Sequence, residues 1–185
     1  MNRREAVQYI SLLLGGTLVG SNVFLSGCKS DTGVSMTFTD TDVSLLNEIA
    51  DTILPATSTP GAKAAKVGEF MTVMVNDCYE EKDQKVFHEG IAKLDDFSNK
   101  NYDKPFMEID PQQRHDLLVK LDSEQKEYMK SKKKEDSSHY FRMMKELSLL
   151  GYFTSEIGCT QAMRYVERPG KYEEIPYKKG DKAFA

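Results

Sequence analysis

Tryptophan is absent from this 185-residue chain, and cysteine and histidine occur three times each. So few cysteines cannot make a disulfide scaffold, and without CxxC or CxxCH neither a zinc ribbon nor a c-type haem site has support. HxxxH, HExxH and His-Cys pairs are missing too, which argues against a metal centre. No GxGxxG or GxxxxGK[ST] offers a phosphate cradle, and no GxSxG offers a nucleophile elbow. Positive charge is in deficit, with 25 basic against 29 acidic side chains, which argues against a nucleic-acid partner. Behind residue 25 no run is long and apolar enough to cross a membrane. What remains is a polar chain, 39% hydrophobic with mean hydropathy −0.52, long enough for one domain with its own core.

The first residues differ from the rest. Arg3 and Arg4 form a short positive region, and Ala6 to Leu25 carries no charge. Gly15, Gly16 and Gly20 make that stretch a poor permanent helix. It closes on Leu25-Ser26-Gly27-Cys28, an aliphatic residue, two small ones and a thiol, which resembles the lipobox of bacterial lipoproteins. Residues 1–27 are therefore expected to be a cleaved signal peptide. Cys28 is the expected lipidation site, residues 28–36 a lipidated tether, and residues 37–185 the folded domain. Asn2-Arg3-Arg4-Glu5-Ala6-Val7-Gln8 resembles a twin-arginine export signal, although Ala6-Val7 is a weak version of the usual hydrophobic pair. The expected location is an exported, membrane-anchored lipoprotein facing the periplasm or cell exterior.

The body reads as all-α, a compact bundle of about five to six helices with an irregular C-terminal tail. Thr39 and Asp42 have capping-box spacing, and Val43, Leu46, Ile49, Ala50 and Ile53 follow at helical intervals until Pro55. Ala56 to Gly61 has the composition of an ordered loop. A second helix is predicted over Lys66 to Cys78, with Val67, Phe70, Met74 and Cys78 on one side. A third runs from about Glu81 to Phe97, with Phe87, Ile91, Leu94 and Phe97 inward. Asp110-Pro111 starts a fourth, an N-cap followed by proline at the first helical position, with Leu117, Leu118 and Leu121 buried. Ser137 or Ser138 starts a fifth, packed through Phe141, Met144, Leu147 and Leu150 and capped by Gly151. Thr154 or Ser155 starts a short sixth that reaches Arg164.

Candidates for chemistry are sparse. His88 and His115 are placed on charged helix faces, and His139 follows a polar loop. Glu80-Glu81, Asp95-Asp96 and Glu135-Asp136 sit in charge-rich surface text and read as solvated faces. The run Lys130-Ser131-Lys132-Lys133-Lys134 is answered at once by Glu135 and Asp136, so it reads as an interhelical loop. Cys78 and Cys159 suit either small buried hydrophobes or, in an oxidising compartment, a pair. No catalytic, cofactor-binding or metal-binding residue is assigned. From Gly151 the text becomes rich in Tyr, Phe, Gly, Pro and Arg, and from Glu167 it loses helical periodicity. Tyr152, Phe153, Gln161, Arg164, Tyr165 and Tyr172 are the candidate partner-interface residues, the alternative being that several pack their own core.

Three separated stretches carry a resemblance. They are Ile49 to Thr57 leading into Thr59-Pro60-Gly61-Ala62, Leu147 to Glu156 (LSLLGYFTSE), and Gly158 to Tyr165 followed by Pro169-Gly170-Lys171-Tyr172. Together they resemble the gluconate 2-dehydrogenase subunit 3 family, the small subunit of exported flavin dehydrogenase complexes. The resemblance implies a non-catalytic accessory subunit with no cofactor in this chain. It implies a large partner of the glucose-methanol-choline oxidoreductase type that holds FAD and the sugar or polyol site. A multihaem cytochrome c often accepts the electrons in such complexes. The competing reading is a free-standing periplasmic lipoprotein, acting as a ligand-binding or chaperone module.

Overall fold

A threonine followed three residues later by aspartate can satisfy two backbone donors at once, and the chain uses that device to begin its first helix. In the computed structural model, which describes residues 36–168, 170–171, 174–176 and 178–185, Thr39 caps helix α1 (Asp40–Ile53). The Asp42 amide donates to Oγ1 of Thr39 at 3.2 Å, and the Thr39 amide donates back to Asp42 at 2.8 Å. The lipobox with Cys28, the Arg3-Arg4 pair, Tyr172 and Pro169 lie outside the described residues.

Helix α2 (Val67–Cys78) follows an ordered loop, as expected, but its capping is not local. Its N-cap residue, Lys66, sits in the left-handed region with φ 54° and makes no side-chain cap. The acceptor comes from α1 instead. Oδ1 of Asn47 accepts from the Gly68 amide at 2.8 Å, while Nδ2 of Asn47 donates to Glu69 at 2.9 Å. Gly68 permits that approach, because a β-carbon there would stand 2.7 Å from Cγ of Asn47. The buried stripe is Val67, Met71 and Val75, with Phe70 and Met74 half-buried beside it. Cys78 ends the helix exposed, contrary to its expected inward place, and both it and Cys159 are free thiols.

Helix α3 (Glu81–Tyr102) is longer than the periodicity suggested and ends on Asp103 at φ 54°. Phe87, Ile91 and Leu94 face the core as expected. His88 does not lie on a charged face: it is 6% exposed and stacks on Phe38 with ring centroids 4.1 Å apart. Asp95 accepts from the Phe106 amide at 2.9 Å, fixing a 3-10 turn (Phe106–Glu108) whose phenyl ring is fully buried. Asp110 then caps helix α4 (Pro111–Ser131), and Gln113 completes a second capping box. Leu117, Leu118 and Leu121 are buried.

Helix α5 (Tyr140–Phe153) is the centre of the bundle, touching α1, α2, α3 and α4. The sequence explains the position: Tyr140, Phe141, Met143, Met144, Leu147 and Tyr152 cover more than one stripe, so several neighbours can bury them. His139, rather than a serine, caps it, its Nδ1 accepting from the Phe141 amide at 3.2 Å. Two expectations fail here. Gly151 lies inside the helix, and Leu150 points outward. The sixth helical segment is present as a short π-helical turn (Gly158–Ala162). Among the described residues there is no strand, only an isolated bridge between Arg164 and Phe184, and no helix is long and apolar enough to cross a membrane.

Candidate partner-binding face

The last turns of α5 do three different jobs with consecutive residues. Gly151 is a close-approach position, since a β-carbon there would stand 2.6 Å from Cδ1 of Phe70 on α2. Tyr152 turns inward, 4% exposed, and its hydroxyl donates to the Pro60 carbonyl at 2.7 Å. Phe153 turns outward, 38% exposed, its ring edge-on to Tyr152 at 5.2 Å. Leu149 and Leu150, one turn back, are also exposed. An apolar strip is thus left open directly beside residues that lock the fold.

The chain then turns a tight corner. Oγ of Ser155 donates to the Tyr152 carbonyl at 2.7 Å and accepts from the Gly158 amide at 3.0 Å. Gly158 has no room for a side chain, because a β-carbon would lie 1.9 Å from the Tyr152 oxygen. Sγ of Cys159 donates to the Phe153 carbonyl at 3.1 Å. Beyond the corner Arg164 gathers the chain end: its amide donates to Ala183, its Nε donates to the Lys182 carbonyl, and its guanidinium lies 4.1 Å from the Phe184 ring centroid. Gln161 is exposed, and its backbone carbonyl accepts from Nζ of Lys182. Tyr165, Val166, Ile175 and Phe184 are left exposed around this return.

The interface candidates therefore divide. Phe153, Gln161 and Tyr165 are open to a partner, Tyr152 serves its own fold, and Arg164 is half-buried and occupied with the tail.

The first and second of the three familiar stretches meet in space through Tyr152 and Pro60. In the same loop Gly61 is buried, and a β-carbon would come within 2.5 Å of Oδ1 of Asp51. The family model of gluconate 2-dehydrogenase subunit 3 matches residues 40–170, from the first residue of α1 into the tail. The chain belongs to the gluconate 2-dehydrogenase subunit 3 family. No curated protein and no solved structure matches it. Membership in a subunit 3 family places the chain in a complex with other subunits.

Elsewhere in this subunit 3 chain several polar groups tie one element to another. Glu48 on α1 receives both Lys63, at 2.8 Å, and the guanidinium of Arg114. Arg114 also donates to the carbonyls of Phe106 and Met107, at 3.1 and 2.8 Å, so it ties α1, the 3-10 turn and α4 together. Sequence reading missed this node, because its partners lie 66 residues apart. Burial would raise Asp122. Hydrogen bonds from Lys126, Lys145 and Gln125 and the Lys145 charge outweigh it and hold the carboxyl at about 2. Burial lowers both His88 and His139, opposed by Asp42 and Glu124 respectively. His115 is exposed, beside Asp116. Among the described residues no three His, Cys, Asp or Glu side chains gather as a metal site. The basic run begins in the last turn of α4 and not, as expected, in a loop: Lys130 pairs with Glu127 within the helix at 2.7 Å, and beyond its end Lys132 donates to the carbonyls of Lys133 and Asp136.

Proposed function

We propose that this chain is the non-catalytic accessory subunit of an exported FAD-dependent sugar or polyol dehydrogenase. It binds the flavoprotein large subunit and assists its folding, export and membrane attachment. The observation that carries this reading is the open apolar strip of Leu149, Leu150 and Phe153, which lies within the span matched by the family. Large exposed side chains of this kind, next to residues that hold the fold, suit an obligate partner better than solvent.

The flavin belongs to the partner, and this chain carries no cofactor of its own. A multihaem cytochrome c is a further candidate subunit that would accept electrons from the flavoprotein. The lipobox-like Leu25-Ser26-Gly27-Cys28 supports a diacylglyceryl anchor on Cys28, holding the complex at a membrane in the periplasm or at the cell exterior. Arg3 and Arg4 support export of the folded, flavin-loaded pair on one signal.

Co-purification from detergent-solubilised membranes tests the reading. A much larger, yellow partner in constant ratio with this chain is the expected result. Recovery of the chain alone would favour the free-standing lipoprotein.

A further inference from the structure

Helices α2 and α5 lie antiparallel. Gly151, near the end of α5, meets Phe70, near the start of α2. At the opposite end, Met143 and Glu146 line an open cleft of about 420 Å³ together with Cys78 and Tyr79. The outer edge of this seam is apolar. Val73, three residues beyond Phe70, is 57% exposed, and Leu150, next to Gly151, is 45% exposed. Phe70 and Met74 form a half-buried floor between the helices. Val73 falls off the buried stripe of α2, whereas Leu150, three residues after the buried Leu147, keeps the stripe's spacing on α5 and is left uncovered. Each helix thus carries an exposed apolar residue within about one turn of the Phe70–Gly151 contact.

The charge beside the seam is acidic. Near its Cys78 end Asp77, Glu80, Asp83, Asp136 and Glu146 outnumber Lys82 and Lys134, with Lys82 paired to Glu80 at 3.0 Å and Arg142 to Glu146 at 2.6 Å. Burial, assisted by Glu146 and Asp83, raises the Tyr79 hydroxyl above its ordinary value, as an acidic neighbourhood should. A second copy of this chain is a poor occupant. A two-fold pair across the seam would bring each copy's Asp77 and Asp83 toward the same groups on the other, and like charges across an interface cost affinity.

We infer that the α2–α5 seam, with Val73, Leu150 and Phe153 as anchors, is the docking surface for the large subunit, through an apolar ridge on that subunit bordered by lysine or arginine. The inference rests on the accessory-subunit reading and adds a place and a chemistry to it. The contact extends beyond the C-terminal text onto α2. The side chains that anchor it are those the fold leaves uncovered, and Asp77 steers approach and fixes register.

The test uses the full chain co-expressed with its large subunit, with affinity measured on the purified proteins. Val73→Glu and Leu150→Glu are both expected to weaken binding at least about tenfold, with wild-type circular dichroism and Tm, because both sites are already exposed. Val119→Glu, at an exposed apolar site on α4, is expected to bind as wild type does. Asp77→Lys probes charge without touching the apolar floor. It should weaken binding at low salt, and the difference from wild type should shrink as salt is added. Wild-type binding that is unchanged in Val73→Glu and Leu150→Glu would overturn the docking site and leave the accessory reading standing. Absence of any wild-type complex would overturn both. Light scattering that shows a homodimer broken by Leu150→Glu would assign the seam to a second copy instead.

Discussion

The hydroxyl of Tyr152 and the carbonyl of Pro60, 92 residues apart in the chain, are joined by a 2.7 Å hydrogen bond. The bond fastens the loop after α1 to the end of α5, the same turns that leave Phe153 and Leu150 open. The lock of the fold and the proposed partner face thus share one short segment, with Tyr152 turned inward and Phe153 and Leu150 outward.

Tyr152→Phe keeps the ring and removes the donor. The expected loss is about 1 kcal/mol of stability, the usual net value of one such bond, or somewhat more if the Pro60 carbonyl finds no water. Urea denaturation measures it. Hydrogen exchange should show faster opening of the loop from Thr57 to Ala62, whose amides at Thr57 and Ala62 bond to Thr59 and Leu54. A loop with unchanged exchange would mean that the bond does not hold it.

Asn47 is the cap that α2 does not supply for itself. Asn47→Ala should cost about 1 kcal/mol, as loss of a local N-cap does, although the residue sits in another helix. Gly68→Ala should cost about 1–3 kcal/mol by overpacking, because the added carbon has Asn47 and the backbone of α1 against it. Thermal denaturation of both, beside the open-space control Gly170→Ala, separates capping and packing from a general glycine effect.

Stability should fall with acidification in two stages. His88 and His139 are both lowered from the ordinary 6.5, so above that value neither state is charged and their contribution is complete. Below it the unfolded chain takes up the protons first, and stability is lost as pH falls through the folded-state values. Asp122, held at about 2 against an ordinary 3.8, gives the second stage: its contribution is full above 3.8 and disappears as pH drops toward 2. His88→Leu should flatten part of the first stage and leave the second intact. Chemical denaturation between pH 7 and about pH 2 checks both; a variant with an unaltered first stage would show that the Phe38–His88 stack carries no proton linkage.

Cys28→Ala should abolish labelling by a fatty acid and, where the signal segment is still cleaved, move the chain from the membrane to the soluble fraction. A single acyl chain binds membranes only marginally, whereas a diacylglyceryl group anchors stably, so the change should be nearly complete. Labelled Cys28→Ala would refute the assignment.

Replacing Arg3 and Arg4 together with lysine keeps the charge but removes the planar guanidinium groups. Both subunits should then remain in the cytoplasm, with the flavoprotein folded and yellow. Export of this chain without its partner would point to the general secretory route.

What the sequence determined by itself is what can be decided within a few residues. The side chains of Thr39 and Asp110 each accept from a backbone amide three positions on, and Pro111 fits the first helical position, so both helix starts were legible. The inward stripes of α1, α3 and α4 follow from periodicity, because each of these helices rests on the core along one face. The family likeness was legible for a related reason: its marks are the glycines, prolines and aromatics that tight corners demand. Only the tertiary structure decided which apolar residues stay outside. Leu150 is as hydrophobic as its buried neighbours and shares their spacing, and its exposure depends on where the next helix stops covering it. The burial of His88 depends on Phe38, the cap of α2 on a residue of α1, and the Glu48–Arg114 pair on a separation of 66 residues. Each is a relation between distant segments. Local propensity carries no term for it, since the free energy that selects the partner arises only when the segments meet.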